Sequence, residues 1–512
     1  MKGYPIGTLI LWKTKERLRS IRNIGGCILP DPPEGDFVEY VLDGQQRLTA
    51  LFASLKGLKV ERDGNKVDDF SGMYIDLKAT EEDEIVITET LDKDPASIIR
   101  MVDLLYGGLT LLAKYPTEYH KKLEEYKKRI ESYTYSSIQV RDAPIDIATA
   151  IFTRINVGGK PLSLFEIMVA KTFDTKRDFD LSEEFNSLID SIKVLDYETI
   201  SDAIVLQTIA LFLGDECKRQ TILKLGKKEF IDTWPKAVDA IERAVEYFKG
   251  FYRIPVSQLL PYNALIVPFA YFFYNHPDKP LGNKQKYLED FFWRCSLSGR
   301  YSSGVEGKLA QDKKRIDKIL KDNLPPYDWG IDTSADFINR NGWFSAGRSY
   351  VKAILCIYAY QQPKSFNDNS IVNISNYWLK QANSKNYHHF FPRAYMKNIG
   401  KEDEANHILN ITIVDDFLNK REIKDQPPSK YMRKFEKQNP HVAESMNSHL
   451  ILDLGKFGVW NDDYDMFLGE RAKAVSNELQ KRIINQDIDK KAQPELVDDY
   501  DEESQELMEM GK

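Results

Sequence analysis

The sequence predicts a multidomain protein of the α+β class, with a mixed α/β N-terminal domain, a mainly helical middle and a compact C-terminal α+β domain. A chain of 512 residues is longer than one hydrophobic core usually serves, so two to four domains are expected. Short β-prone segments occur in the first hundred positions. From about Asp103 to Ser298 apolar residues instead recur three and four apart, which is typical of helices.

Four segments are predicted along the chain. Residues 1–175 form the α/β domain, 176–342 a helical connecting region, 343–485 the C-terminal domain and 486–512 an acidic, disordered tail. From position 492 onward the tail has eight acidic residues against Lys512 alone, which matches the net charge of -7 of the whole chain. The rest of the chain is therefore neutral overall, and this leaves room for a local basic face that binds nucleic acid.

The composition excludes several classes of protein. Hydrophobic residues at 42% and charged residues at 29% are typical of a folded globular chain rather than a collagen-like, disordered or integral-membrane protein. No apolar run reaches membrane-spanning length, and the N-terminal segment lacks the features of a secretory signal. We therefore expect a cytoplasmic protein with no membrane partner. Four widely spaced cysteines are expected to be buried thiols.

The first candidate site lies where a predicted strand, Phe37 to Leu42, meets a predicted helix. It comprises Asp43, Gly44, Gln45, Gln46 and Arg47. Backbone N–H groups at a helix N-terminus favour an anion, and an arginine there can grip a phosphate in two places. The glycine lets the backbone approach a ligand, the aspartate can bind a metal ion or orient a water, and the glutamines offer amide donors and acceptors. The alternative is a capped helix in which Arg47 pairs with Asp43.

A second glycine-containing segment runs from Phe152 to Glu166. Its two glycines and a lysine could cradle a phosphate, or they could simply form a loop. Ser163 and Glu166 have the spacing of a capping box, which explains both residues without a ligand. Asn156 and Lys160 are then the residues without a structural explanation.

The third candidate site lies near the C-terminus and contains two adjacent histidines, His388 and His389. A second short strand led by Asn410 follows, and then a helix that carries Asn419. Strand, strand and helix in this order suit a ββα-metal nuclease, which needs a neutral imidazole to deprotonate water and ligands for one divalent cation. The alternative is a structural or solvent-exposed histidine pair.

Several motifs resemble the GmrSD-type modification-dependent restriction endonucleases. In the N-terminal part these are GYPIGTLILW, VLDGQQRLTAL and FTRINVGGKPLSLFEIMVAK, and in the C-terminal part NYHHFFPRAYM, ANHILNITIVDDFLNK and PPSKYM. The resemblance implies a ParB/sulfiredoxin-like fold for the N-terminal domain and an HNH (His-Me finger) nuclease fold for the C-terminal domain.

The resemblance also implies roles for individual residues. It assigns nucleotide binding to Asp43, Gly44, Gln45, Gln46, Arg47 and Asn156. It makes His389 the general base, which Asn410 would orient by a hydrogen bond, and it makes His388 and Asn419 the ligands of a divalent metal ion, Mg²⁺ or Mn²⁺. His388 stands where relatives often have an acidic residue.

The expected function is that of a metal-dependent DNA endonuclease of a restriction (antiviral defence) system. It would act on modified or foreign phage DNA under the control of NTP binding or hydrolysis in the N-terminal domain, as a homo-oligomer or with a partner protein of the same system. Relatives usually have a further motif of the type QRxxxW before the GYPIG element. Without it, the alternative is a DNA-binding regulatory subunit of a defence complex that lacks NTPase activity of its own.

Overall fold

The computed structural model describes residues 6–18, 23–24, 27–30, 33, 35–62, 66–80, 83–155, 162–345, 347–374, 387–414, 423 and 425–491. It divides into two compact units, Met1–Asp178 and Phe179–Lys512. Both units combine helices with small sheets, which agrees with the predicted mixture of α and β structure. No helix in these ranges is both long and apolar enough to cross a membrane.

The first unit is built on small sheets and short helices. Its strands are β1 Leu9–Thr14, β2 Asn23–Ile24, β3 Cys27–Ile28, β4 Val38–Asp43, β5 Lys59–Arg62, β6 Lys66–Asp69, β7 Tyr74–Asp76, β8 Val86–Ile87, β9 Ile98–Arg100 and β10 Ser137–Arg141. Its helices are α1 Gln45–Lys56, α2 Met101–Tyr106, α3 Gly108–Leu112, α4 Thr117–Glu131, α5 Ile145–Ile155 and α6 Leu164–Thr172.

The sheet that positions the first candidate site has the order β10-β1-β4, with β1 parallel to β10 and antiparallel to β4. Leu9 and Trp12 of β1 are buried, and the indole N–H of Trp12 donates to the carbonyl of Ala143 at 2.9 Å. β4 hands over directly to α1, as the sequence predicts. The helix ends at Gly57, whose φ of 63° is the left-handed conformation that commonly terminates helices.

The second unit is mainly helical. Its helices are α7 Leu181–Lys193, α8 Asp202–Leu213, α9 Arg219–Lys224, α10 Lys227–Gly250, α11 Ile266–Asn275, α12 Gly282–Leu297, α13 Val305–Leu320, α14 Ala335–Asn341, α15 Ser349–Tyr360, α16 Arg393–Asn398, α17 Pro428–Gln438, α18 Val442–Asn447, α19 Tyr464–Gln480 and α20 Asp487–Lys491. Its strands are β11 Tyr387–His389 and β12 Ile411–Ile413.

Aromatic side chains form much of the core of the second unit. The ring of Phe248 in α10 lies 4.7 Å from that of Phe269 in α11, and Tyr252 stacks on Phe292 of α12 at 4.2 Å. Such pairs add roughly 0.5–1.5 kcal/mol each to the effect of burial alone. Helices α10, α11 and α12 therefore bury aromatic side chains against one another within this unit.

The end of the described chain is held by a buried ion pair. Arg294 of α12 donates to both carboxylate oxygens of Asp489, at 2.8 and 2.7 Å, and also to Asp290. A buried guanidinium needs such partners because an unpaired charge is costly in the interior. The predicted acidic tail begins at residue 486, but Asp487–Lys491 form helix α20 and belong to the folded unit; residues 492–512 lie outside the described ranges. The predicted segments 176–342 and 343–485 both lie within this unit.

Candidate functional sites

The guanidinium of Arg47 binds its own chain. It donates to the carboxylate of Asp43 at 2.7 Å and to the backbone carbonyls of Ile6 and Thr8, both at 3.1 Å. The side chains of Arg47 and Asp43 are 36% and 30% exposed. The Arg47–Asp43 pair of the alternative interpretation therefore exists, but it is half-exposed and α1 has no side-chain cap.

Two glycines make room for this arginine. Gly7 has a φ of +96°, and a Cβ atom on it would lie 2.0 Å from Nη1 of Arg47. Gly44 has a φ of +94°, and its Cβ would lie 2.4 Å from the side chain of Leu9 and 3.3 Å from Nη2 of Arg47. Both positions favour glycine by conformation and by space. The glycines of the two N-terminal motifs thus serve the approach of Arg47 to the loop before β1.

The remaining residues of the predicted nucleotide site are not drawn together in the same way. Gln45 and Gln46 are exposed, and the amide of Gln45 donates back to the carbonyl of Val41 at 2.8 Å. Asn156 lies outside the described residues, so its predicted role stays a prediction. The capping box is confirmed: the N–H of Glu166 donates to the hydroxyl of Ser163, and the carboxylate of Glu166 accepts from the N–H of Ser163.

In the second unit the two histidines lie on a short antiparallel pair of strands. β11 pairs with β12 in the register His388 with Thr412 and His389 with Ile411. His388 is 1% exposed, whereas His389 is half-buried. Neighbouring side chains of a strand point to opposite faces, and this alternation puts one imidazole in the core and leaves the other accessible.

His388 is held as a neutral ring. Its Nδ1 lies 2.8 Å from the hydroxyl oxygen of Thr412, and that hydroxyl donates to the backbone carbonyl of His388 at 3.3 Å. The hydroxyl must therefore accept from Nδ1–H, which leaves the lone pair on Nε2. Burial, helped by the charges of nearby groups such as Arg471, holds the pKa of His388 well below its ordinary value.

The Nε2 atom of His388 is buried and has no hydrogen-bond partner among the described residues. A neutral imidazole with a free lone pair and its other nitrogen hydrogen-bonded is the form in which histidine binds metal ions. The lone pair would suit a metal ion, but the ring is buried on the face of β11 opposite His389, so it does not lie on the same side as the expected base. No cluster of three or more His, Cys, Asp or Glu suited to a metal ion occurs within the described ranges, and Asn419, the other predicted ligand, lies outside them.

His389 contacts Asn406, a residue that the sequence analysis did not single out. The Nε2 atom of His389 lies 3.3 Å from Oδ1 of Asn406, whose Nδ2 donates to the carbonyl of Phe344 at 3.0 Å. Because the amide nitrogen is used on Phe344, Oδ1 is an acceptor and Nε2 of His389 carries the proton. Nδ1 of His389 then has the lone pair of a base. Burial lowers the pKa of His389, and the positive charge of Arg393 lowers it further, whereas the hydrogen bond to Asn406 raises it.

The expected hydrogen bond between Asn410 and His389 is wrong. The Asn410 side chain is fully buried. It accepts from the N–H of Phe391 at 2.8 Å and donates to the carbonyls of Phe391 and Ala405 at 3.0 and 2.9 Å. These bonds use both amide hydrogens and direct the oxygen to the N–H of Phe391, so Asn410 fixes the backbone that follows His389 rather than the imidazole itself. The signal that could have found Asn406 is its position as another asparagine just before the second strand.

Two backbone hydrogen bonds join the loop before β12 to the segment after α14. The N–H of Ile408 donates to the carbonyl of Gly342 at 2.7 Å, and the N–H of Phe344 donates to the carbonyl of Asn406 at 3.1 Å. A Cβ on Gly342 would lie 2.3 Å from the ring of His407, so glycine permits this close approach. These contacts place Asn406 firmly against His389.

The first unit is similar to a known class of protein. Residues 1–173 match the family model described as the GmrSD restriction endonuclease, N-terminal domain. This match supports a protein of the GmrSD type and covers the segment from Asp43 to Arg47. The uncharacterized protein MJ0686 of Methanocaldococcus jannaschii is 24% identical over 441 residues, which is 77% of this chain and 72% of that relative.

Proposed function

We propose that the chain is a metal-dependent DNA endonuclease of a GmrSD-like restriction system, with an HNH-type nuclease site at His389. The observation that carries the proposal is the pair formed by His389 and Asn406, because it leaves a neutral imidazole with its Nδ1 lone pair free on a half-buried ring. A general base near neutral pH needs this protonation state. The match of residues 1–173 to a restriction-endonuclease family model supports DNA as the substrate.

In the proposed reaction Nδ1 of His389 accepts a proton from water as the water oxygen attacks the phosphorus of a DNA phosphodiester. The new P–O bond forms as the P–O3′ bond breaks, and the 3′ oxygen leaves and takes up a proton from solvent. Asn406 keeps the ring in the tautomer that can accept the proton. A divalent ion, Mg²⁺ or Mn²⁺, is proposed as the cofactor, and when bound it would supply positive charge for the developing negative charge. Its predicted ligands are His388 and Asn419, but the ring of His388 lies in the core on the face of β11 opposite His389, so it is not placed beside the water that His389 activates.

The replacement His389→Ala tests the proposed base. We expect it to lower the rate of plasmid cleavage in Mg²⁺ or Mn²⁺ by at least about 10²-fold, since general bases contribute about 10²–10⁴-fold. His441→Ala is the matched control, because His441 is an exposed histidine of the same unit and its loss should leave cleavage unchanged. Cleavage by His389→Ala at the wild-type rate would remove the assignment.

The metal ligands are tested separately. If His388 binds the ion, His388→Ala should abolish Mn²⁺ binding measured by calorimetry, while His389→Ala should retain it. Unchanged Mn²⁺ binding by His388→Ala would instead make His388 a buried structural histidine, which was the alternative for the pair.

NTP binding or hydrolysis in the first unit is proposed as the regulatory step, with modified or foreign phage DNA as the target. The bonds of Arg47 to its own chain favour a second candidate, a DNA-binding regulatory subunit without NTPase activity. A matrix of modified and unmodified phage DNA, with and without each NTP, separates the two. Phosphate release together with NTP-dependent cleavage supports regulation by NTP, whereas DNA binding without either supports the second candidate.

A further inference from the structure

The three residues between His389 and Arg393 are each held in place, two by hydrogen bonds and the third by proline geometry. The N–H of Phe390 donates to the carbonyl of Asn410 at 2.8 Å, and the carbonyl of Phe390 accepts from the hydroxyl of Tyr431 at 2.5 Å. The N–H and carbonyl of Phe391 are both bound by the side chain of Asn410. Pro392 follows, with a fixed φ and no N–H to satisfy. The position of Arg393 relative to His389 is therefore set by the core.

The rings within this turn anchor it further. Phe390 and Phe391 are fully buried, and both pack against Phe467 of α19, with ring centroids 4.7 and 5.2 Å away. After two buried residues and a proline, the next side chain turns outward: Arg393 is 58% exposed. An exposed arginine on so rigid a turn loses little further backbone freedom when it binds a ligand.

The charge of Arg393 is only weakly compensated. Its Nη2 lies 3.8 Å from Glu402, and the other oxygen of the same carboxylate lies 3.9 Å from Nζ of Lys397. One carboxylate thus faces two cations, which leaves a net positive charge. Lys401 is separately paired with Asp465, at 2.9 Å to both oxygens. Exposed ion pairs of this length contribute little, so an anionic ligand can take the place of Glu402.

Arg393 follows His389 by only four residues, and the backbone between them is fixed by the contacts described above. An arginine near a general base, with a free fork of N–H donors, suits the non-bridging oxygens of a phosphodiester. Phosphate contacts from arginine fix the register of a protein on DNA without reading its sequence.

We infer that Arg393 is the DNA-phosphate contact of the nuclease site, where its guanidinium binds the backbone beside the phosphodiester that His389 addresses. This rests on the proposed nuclease function. The contact positions the strand for attack and supplies positive charge next to the reacting phosphate.

The test compares Arg393→Ala with Lys397→Ala. Both changes remove one cation from helix α16 and from the same carboxylate, and Lys397 is 70% exposed, so they are matched in charge and accessibility. We expect Arg393→Ala to lower kcat/KM for DNA cleavage about 10²-fold, by analogy with the loss of one charge-stabilising donor. Lys397→Ala should leave kcat/KM within about 3-fold of the wild-type value, because Lys397 is not the proposed charge-stabilising donor. Arg393→Lys, which keeps the charge but loses the fork, should recover part of the loss.

A binding measurement separates failure of this inference from failure of the nuclease proposal. Fluorescence anisotropy with labelled duplex DNA is carried out in the His389→Ala background without metal, so that no cleavage is needed. Arg393→Ala should reduce the salt dependence of log K by about one phosphate equivalent, and Lys397→Ala should leave it unchanged. Equal effects of the two substitutions on salt dependence would overturn the inference whether or not the protein cleaves DNA.

Discussion

In the first unit the guanidinium of Arg47 binds Asp43 and two backbone carbonyls of its own chain, whereas in the second unit the imidazole of His389 contacts Asn406 and keeps a lone pair. Both residues belong to motifs that the sequence analysis selected. The difference is that the fold fills the hydrogen-bonding capacity of Arg47, whereas it leaves His389 a lone pair that could accept a proton from a ligand.

The same distinction separates neighbours within the second unit. Asn410 has all its amide atoms bound to backbone, while Asn406, four residues earlier, is exposed and orients His389. Of these two asparagines near one strand, Asn410 holds the backbone and Asn406 is the one that contacts His389.

The largest expected effect is a difference in acid stability between the units. Burial lowers the pKa of His407 to about 4 and that of His449 to about 3. The unfolded chain takes up these protons near pH 6.5, so stability is complete above that pH and is lost as the pH falls toward the folded values. Each histidine lowers the free energy of unfolding by about 1.4 kcal/mol per pH unit in this range. The two histidines together lower it by about 4 kcal/mol between pH 6.5 and pH 5.

The first unit should resist the same change. Its single histidine, His120, is exposed, and a carboxylate such as Asp76, with its pKa lowered from 3.8, protonates only at lower pH. Hydrogen exchange read by mass spectrometry at pH 7 and pH 5, corrected for the intrinsic exchange rate, measures each unit separately. Equal loss of protection in both units would contradict the expectation.

Asn410→Ala should destabilise the second unit by about 3–5 kcal/mol. The substitution leaves a buried N–H and two carbonyls without their partner, and each such group costs about 1–3 kcal/mol. The free energy of unfolding by urea measures the effect. A loss below about 0.5 kcal/mol, well under that cost for a single group, would show that Asn410 does not hold the turn between His389 and Arg393.

Arg47→Ala should destabilise the first unit by about 1–2 kcal/mol, because the lost hydrogen bonds are strong but half-exposed. Arg47→Lys keeps the charge and should recover only part, since a lysine cannot reach three acceptors in a fork. Urea unfolding of the first unit, followed by hydrogen exchange, gives the value. If Arg47→Ala left the stability unchanged but abolished NTP binding, Arg47 would be a ligand-binding residue rather than one that holds the fold.

Asn406→Ala should have the smallest effect on stability and a clear one on cleavage. We expect a roughly 10-fold lower kcat, because the imidazole loses the partner that fixes its tautomer, as with other residues that orient a reacting histidine. The exposed position of Asn406 should keep the loss of stability under about 1 kcal/mol. A fall in stability as large as that of Asn410→Ala would remove the distinction between the two asparagines.

Much of the local structure could be predicted from the sequence. The strand, glycine turn and helix around Asp43–Arg47, the capping box of Ser163 and Glu166, and the two short strands at His388–His389 and Ile411–Ile413 all follow from short-range patterns. Such features depend on residues a few positions apart, so periodicity and capping rules apply to them directly.

The amino-acid sequence alone determined where the candidate residues lie: in a DGQQR segment after a strand, and in adjacent histidines on a strand followed by asparagines. Only the tertiary structure decided how these groups are used. The bonds of Arg47 to the loop before β1, the burial of His388, the choice of Asn406 over Asn410 as the partner of His389 and the pairing of Arg294 with Asp489 join residues or faces that local spacing does not relate. Hydrogen bonds are satisfied by whichever partner the packed chain brings within about 3 Å, and the sequence pattern does not contain that distance.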